Sequence, residues 1–357
     1  MAVPLNPWLA ATSAIDREAR CYMTKLGFAI AFAFIIAGLA GSIATAPAAR
    51  VLPAGPDWAF PGEGASAVVA PFPTRIVTLA GSTVRYPEME IDDGYHAVDW
   101  WPATHPPLPR VVRIGRAPNV LACGYCHLPD GQGRPENASL AGLPAEYIVA
   151  AVNAIRSGDR PGLRPGWVPI AYMRQTAHAV TATELAAAAA YFAARPYVTH
   201  TRLVETAKIP RVIVDAFVYR RDPRGGTEPL GNRIVELPDD FHRFDRRDPT
   251  ESYTAYVPHG AITRGRNLAS GGDVSGLLAC ETCHAQGLRG GSIGPPLAGR
   301  SPTGLFRQLD AFRLGARRGH VDAVMRAEVA HLSEADLVSL AAYAASLPPD
   351  GRTRIRM

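Results

Sequence analysis

Two stretches of this 357-residue chain carry the same signature, Cys123-Gly124-Tyr125-Cys126-His127 and Cys280-Glu281-Thr282-Cys283-His284. No other feature restricts the fold as tightly. Two thiols three residues apart share one side of a tight turn, and the histidine that follows the second is carried round with them. That spacing is the attachment pattern for c-type haem. Each thiol adds to a haem vinyl group as a thioether, and the next imidazole is aimed at the iron. One residue more or fewer between the cysteines would misplace one of the three contacts. The expectation is two covalently attached c-type haems, held by Cys123, Cys126, Cys280 and Cys283, with His127 and His284 as iron ligands.

Self-comparison extends the repeat. An offset of 157 maps the first signature onto the second, then Leu140, Ala141 and Gly142 onto Leu297, Ala298 and Gly299, and Arg156 and Gly158 onto Arg313 and Gly315, without a gap. Farther on the offset becomes 152. It maps Met173 and Arg174 onto Met325 and Arg326, Thr181 onto Ser333, Glu184 onto Asp336, Leu185 onto Leu337 and Tyr191 onto Tyr343. Under this offset the nearby histidines do not match, since His178 falls on Ala330 and His331 on Ala179. The shared residue is methionine. A thioether is a soft, neutral ligand that favours Fe(II) and a high potential, so Met173 and Met325 are the expected sixth ligands. His178 is the substitute for the first site, and His320 or His331 for the second.

After each methionine the chain repeats a helix start. Thr181 with Glu184, and Ser333 with Asp336, have the spacing of a capping box. Leu185 with the alanine run to Ala190, and Leu337 with Leu340 and Tyr343, supply an apolar face at helical spacing. These closing helices should pack on the opening helices of their domains, of which the second is expected at Thr263 to Ala269.

Between and before these regions the chain reads differently. Residues 1–25 form an extension with Arg17, Arg20 and Lys25 ahead of an uncharged apolar run, 26–46. The basic flank places the extension in the cytoplasm and the rest outside. The run's length favours a retained transmembrane anchor, and Ala44-Thr45-Ala46 allows a cleaved signal as the alternative. The expected location is the periplasmic side of a bacterial inner membrane. Residues 47–107 are a Pro/Gly-rich linker that packs on the first haem domain, with a small hairpin at most, and its His96 and His105 read as ordinary loop histidines. The first haem domain is 108–197 and the second 259–348, with a short tail at 349–357. The interdomain segment, 198–258, lacks helical periodicity, and one strand is expected at Arg211 to Tyr219. Cys21 is left over from the two motifs, so no structural disulfide is expected. The net charge of +5 comes almost wholly from arginine, Lys25 and Lys208 being the only lysines. Haem propionates would offset much of it, and no basic run with interleaved aromatics points to nucleic acid.

Taken together, these motifs resemble the class I cytochromes c, specifically the bacterial diheme type with two such domains in tandem. The second domain is the closer match, through Cys280 to His284, Gly294-Pro295-Pro296-Leu297, Met325 and the helix through Tyr343. The resemblance implies a mainly α fold, two tandem cytochrome c domains with an N-terminal apolar helix and irregular Pro/Gly-rich connecting segments. It also implies that the Pro295 carbonyl accepts the Nδ1 hydrogen of His284. In the first domain the equivalents of Pro295 and Pro296 are Ala138 and Ser139. Either another carbonyl serves there or the ring is held less firmly, and the two haems would then differ in potential.

With His and Met on both irons no position is open to substrate. The expected function is therefore single-electron transfer rather than catalysis, with redox proteins as partners: a dehydrogenase, a quinol-oxidising complex or a terminal oxidase. The membrane is contacted through the N-terminal segment. A haem subunit of a membrane dehydrogenase or oxidase complex is the alternative, because the extra segments exceed what a free carrier needs. A diheme peroxidase-like enzyme would need one open iron, against which the matched methionines argue. Zinc binding or thiol-disulfide chemistry would not require a histidine beside the second cysteine in both copies.

Overall fold

The computed structural model describes residues 54–64, 75–272 and 276–349. The extension 1–25 with Cys21, the apolar run 26–46 and most of the tail lie outside the described residues. Among the described residues no helix is long and apolar enough to cross a membrane.

The repeat is visible as two series of helices in the same order. In the first half a motif helix, Cys123–His127, is followed by a middle helix, Ala145–Ser157, a methionine helix, Val168–Ala179, and a closing helix, Ala182–Ala193. The second half has Glu281–His284, Pro302–Arg313, Ala323–Val329 and Glu334–Ser346. The first middle helix turns Ile148, Val152 and Ile155 inward at helical spacing and ends on left-handed Gly158. Its counterpart begins on Pro302, where a missing N–H is tolerated, and Ser301 caps it by accepting from the Gly304 amide at 3.1 Å. Both capping boxes form. Thr181 Oγ accepts from the Glu184 amide at 3.2 Å while Glu184 accepts from the Thr181 amide at 2.8 Å, and Ser333 and Asp336 do the same at 3.2 and 3.0 Å.

The halves differ at their openings. In the second, Ala261–Ala269 is a full opening helix that crosses the closing helix. It comes so close at Gly265 that a Cβ there would run into the Ser339 carbonyl oxygen. In the first half only one turn, Arg110–Arg113, remains. An extended stretch takes its place. The Ala97 amide donates to the Arg113 carbonyl at 2.9 Å, Gly115 to Tyr95 at 2.8 Å and Ala122 to Gly94 at 3.0 Å, so residues 94–97 lie directly against the first motif.

The segment expected to be irregular between the halves is instead rich in strands. Thr201–Glu205 pairs in parallel with Tyr253–Val257, which pairs antiparallel with Val235–Pro238 on its other side. The single strand expected at 211–219 is a hairpin, Val212–Asp215 with Val218–Arg221. Its turn residues Ala216 and Phe217 both have positive φ, 48° and 67°. Their amides donate to the carbonyls of Glu63 and Gly62 at 2.9 and 3.0 Å, which compensates the strained turn. Upstream, Ile76–Thr78 pairs with Arg85–Pro87 over a small core of Val77, Leu79, Ile91, Val98 and Trp100. That unit is pinned to the β segment by Trp100 Nε1, donating to the Arg246 carbonyl at 2.7 Å, and Trp101 Nε1, donating to Asp248 at 3.0 Å. His105 belongs here too, with Nε2 3.1 Å from Asp99.

Residues 54–64 cross both helical halves as a strap. Trp58 Nε1 donates to Glu334 at 2.9 Å and its ring lies 4.5 Å from that of Phe306. From the other side, Arg307 donates to the Ala59 and Pro135 carbonyls, both at 2.6 Å, and Trp167 Nε1 donates to the Pro61 carbonyl at 2.7 Å.

Candidate functional site

Each motif is a single helical turn that stops abruptly. The residue after the histidine, Leu128 in one copy and Ala285 in the other, has φ of 64° and 58° with ψ of 154° and 171°. This region is normally reserved for glycine, and holding another residue there costs about 1–3 kcal/mol. The reversal lets the histidine carbonyl accept from a glycine amide, Gly133 at 3.1 Å and Gly290 at 2.8 Å. Both glycines have positive φ, and a Cβ on either would stand 2.5 Å from the next loop, at the Ser139 or Pro296 nitrogen. That close approach brings a carbonyl to each imidazole. His284 Nδ1 lies 2.8 Å from the Pro295 carbonyl, and His127 Nδ1 lies 2.7 Å from the Ala138 carbonyl. The first ring is thus held as closely as the second, by the carbonyl of the residue that replaces the proline.

The Nδ1 hydrogen fixes the tautomer, so Nε2 carries the free lone pair at each site. Burial lowers the pKa of both imidazoles, with the carbonyl hydrogen bond partly opposing it. Both rings are therefore neutral at pH 7, the form that ligates iron. Burial likewise raises the thiols, Cys123 to about 12 and Cys280 to about 11. They are free of disulfides and protonated at neutral pH. Among the described residues no three His, Cys, Asp or Glu converge as a metal cluster. This donor set of disulfide-free thiols beside a tautomer-fixed imidazole fits a covalently attached haem.

Met173 packs against the first apolar core together with Cys123, and Met325 against the second together with Cys280. Both are half-buried and both lie inside short helices, Val168–Ala179 and Ala323–Val329. The histidines considered as substitutes, His178, His320 and His331, are exposed.

Two arginines near these sites left no signal in the sequence. Arg247 comes from the β segment and stacks on Tyr125 inside the first motif, 3.6 Å from its ring centroid. It also donates to the Tyr125 carbonyl at 3.3 Å and the Ile91 carbonyl at 2.9 Å. The position that matches Tyr125 in the second motif, Thr282, is exposed. Arg300, one residue beyond the repeated Leu-Ala-Gly, reaches across to the first half. Both contacts are between residues more than a hundred positions apart, which local patterning does not encode.

No protein-family model matches the chain, and no curated protein matches it. Among solved structures it is similar to thiosulfate dehydrogenase (TsdBA) from Marichromatium purpuratum in its as-isolated form, with 26% identity and a TM-score of 0.44 over 66% of this chain and 38% of that one. The chain thus spans well under half of that protein's length. It is similar as well to reduced recombinant cytochrome c4 from Pseudomonas stutzeri, with 24% identity and a TM-score of 0.41 over 63% of this chain and 93% of that one. Acidithiobacillus ferrooxidans cytochrome c4 gives 21% identity and a TM-score of 0.40 over 63% and 98%. These likenesses are distant.

Proposed function

We propose that this protein is a diheme c-type cytochrome that passes single electrons between redox proteins on the periplasmic side of a bacterial inner membrane. One observation carries the reading. In both halves the same backbone device, a strained reversal after the histidine, presents a neutral Nε2 beside two disulfide-free thiols, with a methionine in the same apolar cluster as the first thiol. Haem bound there would supply an iron that cycles between Fe(III) and Fe(II).

The chain's own residues do the rest. Cys123 and Cys126, and Cys280 and Cys283, would hold the group. The Ala138 and Pro295 carbonyls orient His127 and His284. Met173 and Met325 would supply a sulfur ligand to the iron at each site, leaving none free for water or substrate, and the apolar cores they pack against would exclude solvent. A site closed in this way exchanges electrons without forming bonds to a substrate. The partners would be a dehydrogenase, a quinol-oxidising complex or a terminal oxidase. A role as the haem subunit of such a complex is favoured by one feature, the β segment and upstream hairpin that cover the first motif.

The test is direct. The denatured polypeptide should retain two haems, counted as pyridine haemochrome, and extraction of the haem by acidified organic solvent would overturn the reading. Met325→Ala should remove the sulfur-to-iron absorption band of one haem and lower its potential, whereas an unchanged spectrum would place the ligand elsewhere.

A further inference from the structure

Arg300 is 7% exposed and lies where the two halves meet. Its Nε donates to the Pro296 carbonyl at 2.8 Å. One terminal nitrogen donates to the Ser139 carbonyl at 3.1 Å and to Ser139 Oγ at 2.8 Å, and the other donates to the Ala141 carbonyl at 2.9 Å. The Tyr197 ring covers one face of the guanidinium, 4.4 Å from its carbon, and the Tyr197 hydroxyl donates to the Gly299 carbonyl at 2.7 Å.

The acceptors are related to one another. Ser139 and Pro296 are equivalent under the 157 offset, and each directly follows the residue whose carbonyl holds a motif histidine. A single guanidinium therefore joins the same loop in both copies. The position equivalent to Arg300 in the first half is Leu143, so the connection is made once, from the second half only. Its partners are carbonyls, a hydroxyl and a ring, which satisfy the donors of the guanidinium without cancelling its charge.

We infer that Arg300 is a positioning residue that couples the two proposed haem sites, tying the loops that hold His127 and His284 into one hydrogen-bonded unit and placing one uncancelled positive charge between them. The inference rests on the diheme reading above. A ferrous iron carries one positive charge fewer than a ferric one, so a fixed cation in a poorly solvated position favours the reduced state at both sites. Because the loops share one donor group, a disturbance of either loop is transmitted to the other imidazole.

The experiment is a spectroelectrochemical titration of both haems in the full-length holoprotein, compared with Arg300→Gln, Arg300→Lys and Ser139→Ala. Haem content is counted on the denatured chains and melting temperature is measured alongside. In Arg300→Gln both potentials should fall together, seen as a several-fold rise in the ferric-to-ferrous ratio of each centre at fixed ambient potential. Arg300→Lys keeps the charge without the fork and should lie between. A lower melting temperature with both potentials unchanged would make Arg300 a plain strut, and movement of one potential alone would make it a local contact. Either result overturns the coupling. Should Arg300→Gln fail to fold, Ser139→Ala keeps the charge and removes one acceptor of the first half. It should shift the ligand resonances of His284 in the paramagnetic NMR spectrum, and no shift at that site overturns the proposal. Absence of covalent haem in the wild-type chain would overturn the diheme reading first, and would show in the haem count before any potential is measured.

Discussion

The two helical halves solve one problem with different materials. Each must hold an imidazole at a fixed angle beside two thiols, and each does so with a reversal after the histidine, a positive-φ glycine and a carbonyl 2.7–2.8 Å from Nδ1. Around this shared frame almost everything else diverges. The second half braces its motif with a full opening helix, while the first uses an extended stretch, residues 94–97, together with Arg247 from the β segment. The position of the carbonyl is therefore a property of the backbone path, and the proline is dispensable to it. Ala138 does in one half what Pro295 does in the other.

The largest test of this comparison removes one set of attachment thiols at a time. Cys280→Ala with Cys283→Ala should leave one haem per chain and keep the spectrum of the first site, and the reciprocal pair should do the converse. Loss of both haems from either double variant would show that the halves mature as one unit. Next in size is Gly265→Ala. The added methyl has no room against the Ser339 carbonyl, so the second half should lose about 3 kcal/mol in denaturant unfolding, and a loss below about 1 kcal/mol would mean that the helix crossing can relax. The strained reversals give a third contrast. Ala285→Gly relieves a positive φ at the cost of one methyl and should stabilise by about 1 kcal/mol. Leu128→Gly relieves the same strain but removes a side chain that is 2% exposed, so it should destabilise in the same assay. Equal signs would break the argument that strain is shared and packing is not.

Smaller still is a pH effect confined to the first half's neighbourhood. The hydrogen bond to Asp99 raises the pKa of His105 above its ordinary 6.5. A raised histidine contributes stability that is fully present below pH 6.5 and is lost as the pH rises through the folded value. Unfolding free energy should decline across that window by less than about 1 kcal/mol, and His105→Gln should flatten the decline. A decline of equal size in the variant would assign it to another group.

Much of this was legible in the sequence because it is local or repeated. The motifs, both capping boxes and the opening helix, expected at 263–269 and found at Ala261–Ala269, depend on residues a few positions apart, and the offsets on a pattern that the chain repeats. The β segment was not legible. Its parallel pair joins Thr201–Glu205 to Tyr253–Val257, a long-range pairing that no local pattern encodes. The hairpin at 212–221 reads as one strand in the sequence because Ala216 and Phe217 are not turn formers. They adopt positive φ only because carbonyls from residues 62 and 63 receive their amides. Whether another carbonyl serves the first imidazole or its ring is held less firmly stays open in the sequence, which displays the side chains of Ala138 and Ser139 but not the path of their carbonyls; the Ala138 carbonyl serves.

The strap at residues 54–64 bears on the order of assembly. Trp58 bonds to a residue 276 positions away, and the strap's other anchors, Arg164, Trp167 and Arg307, lie 106 to 248 positions from their partners in it. Closing loops of that length brings its entropic penalty before any contact can repay it. The stretch synthesised first among the described residues thus waits for partners made near the end of the chain, and its docking is expected late in folding.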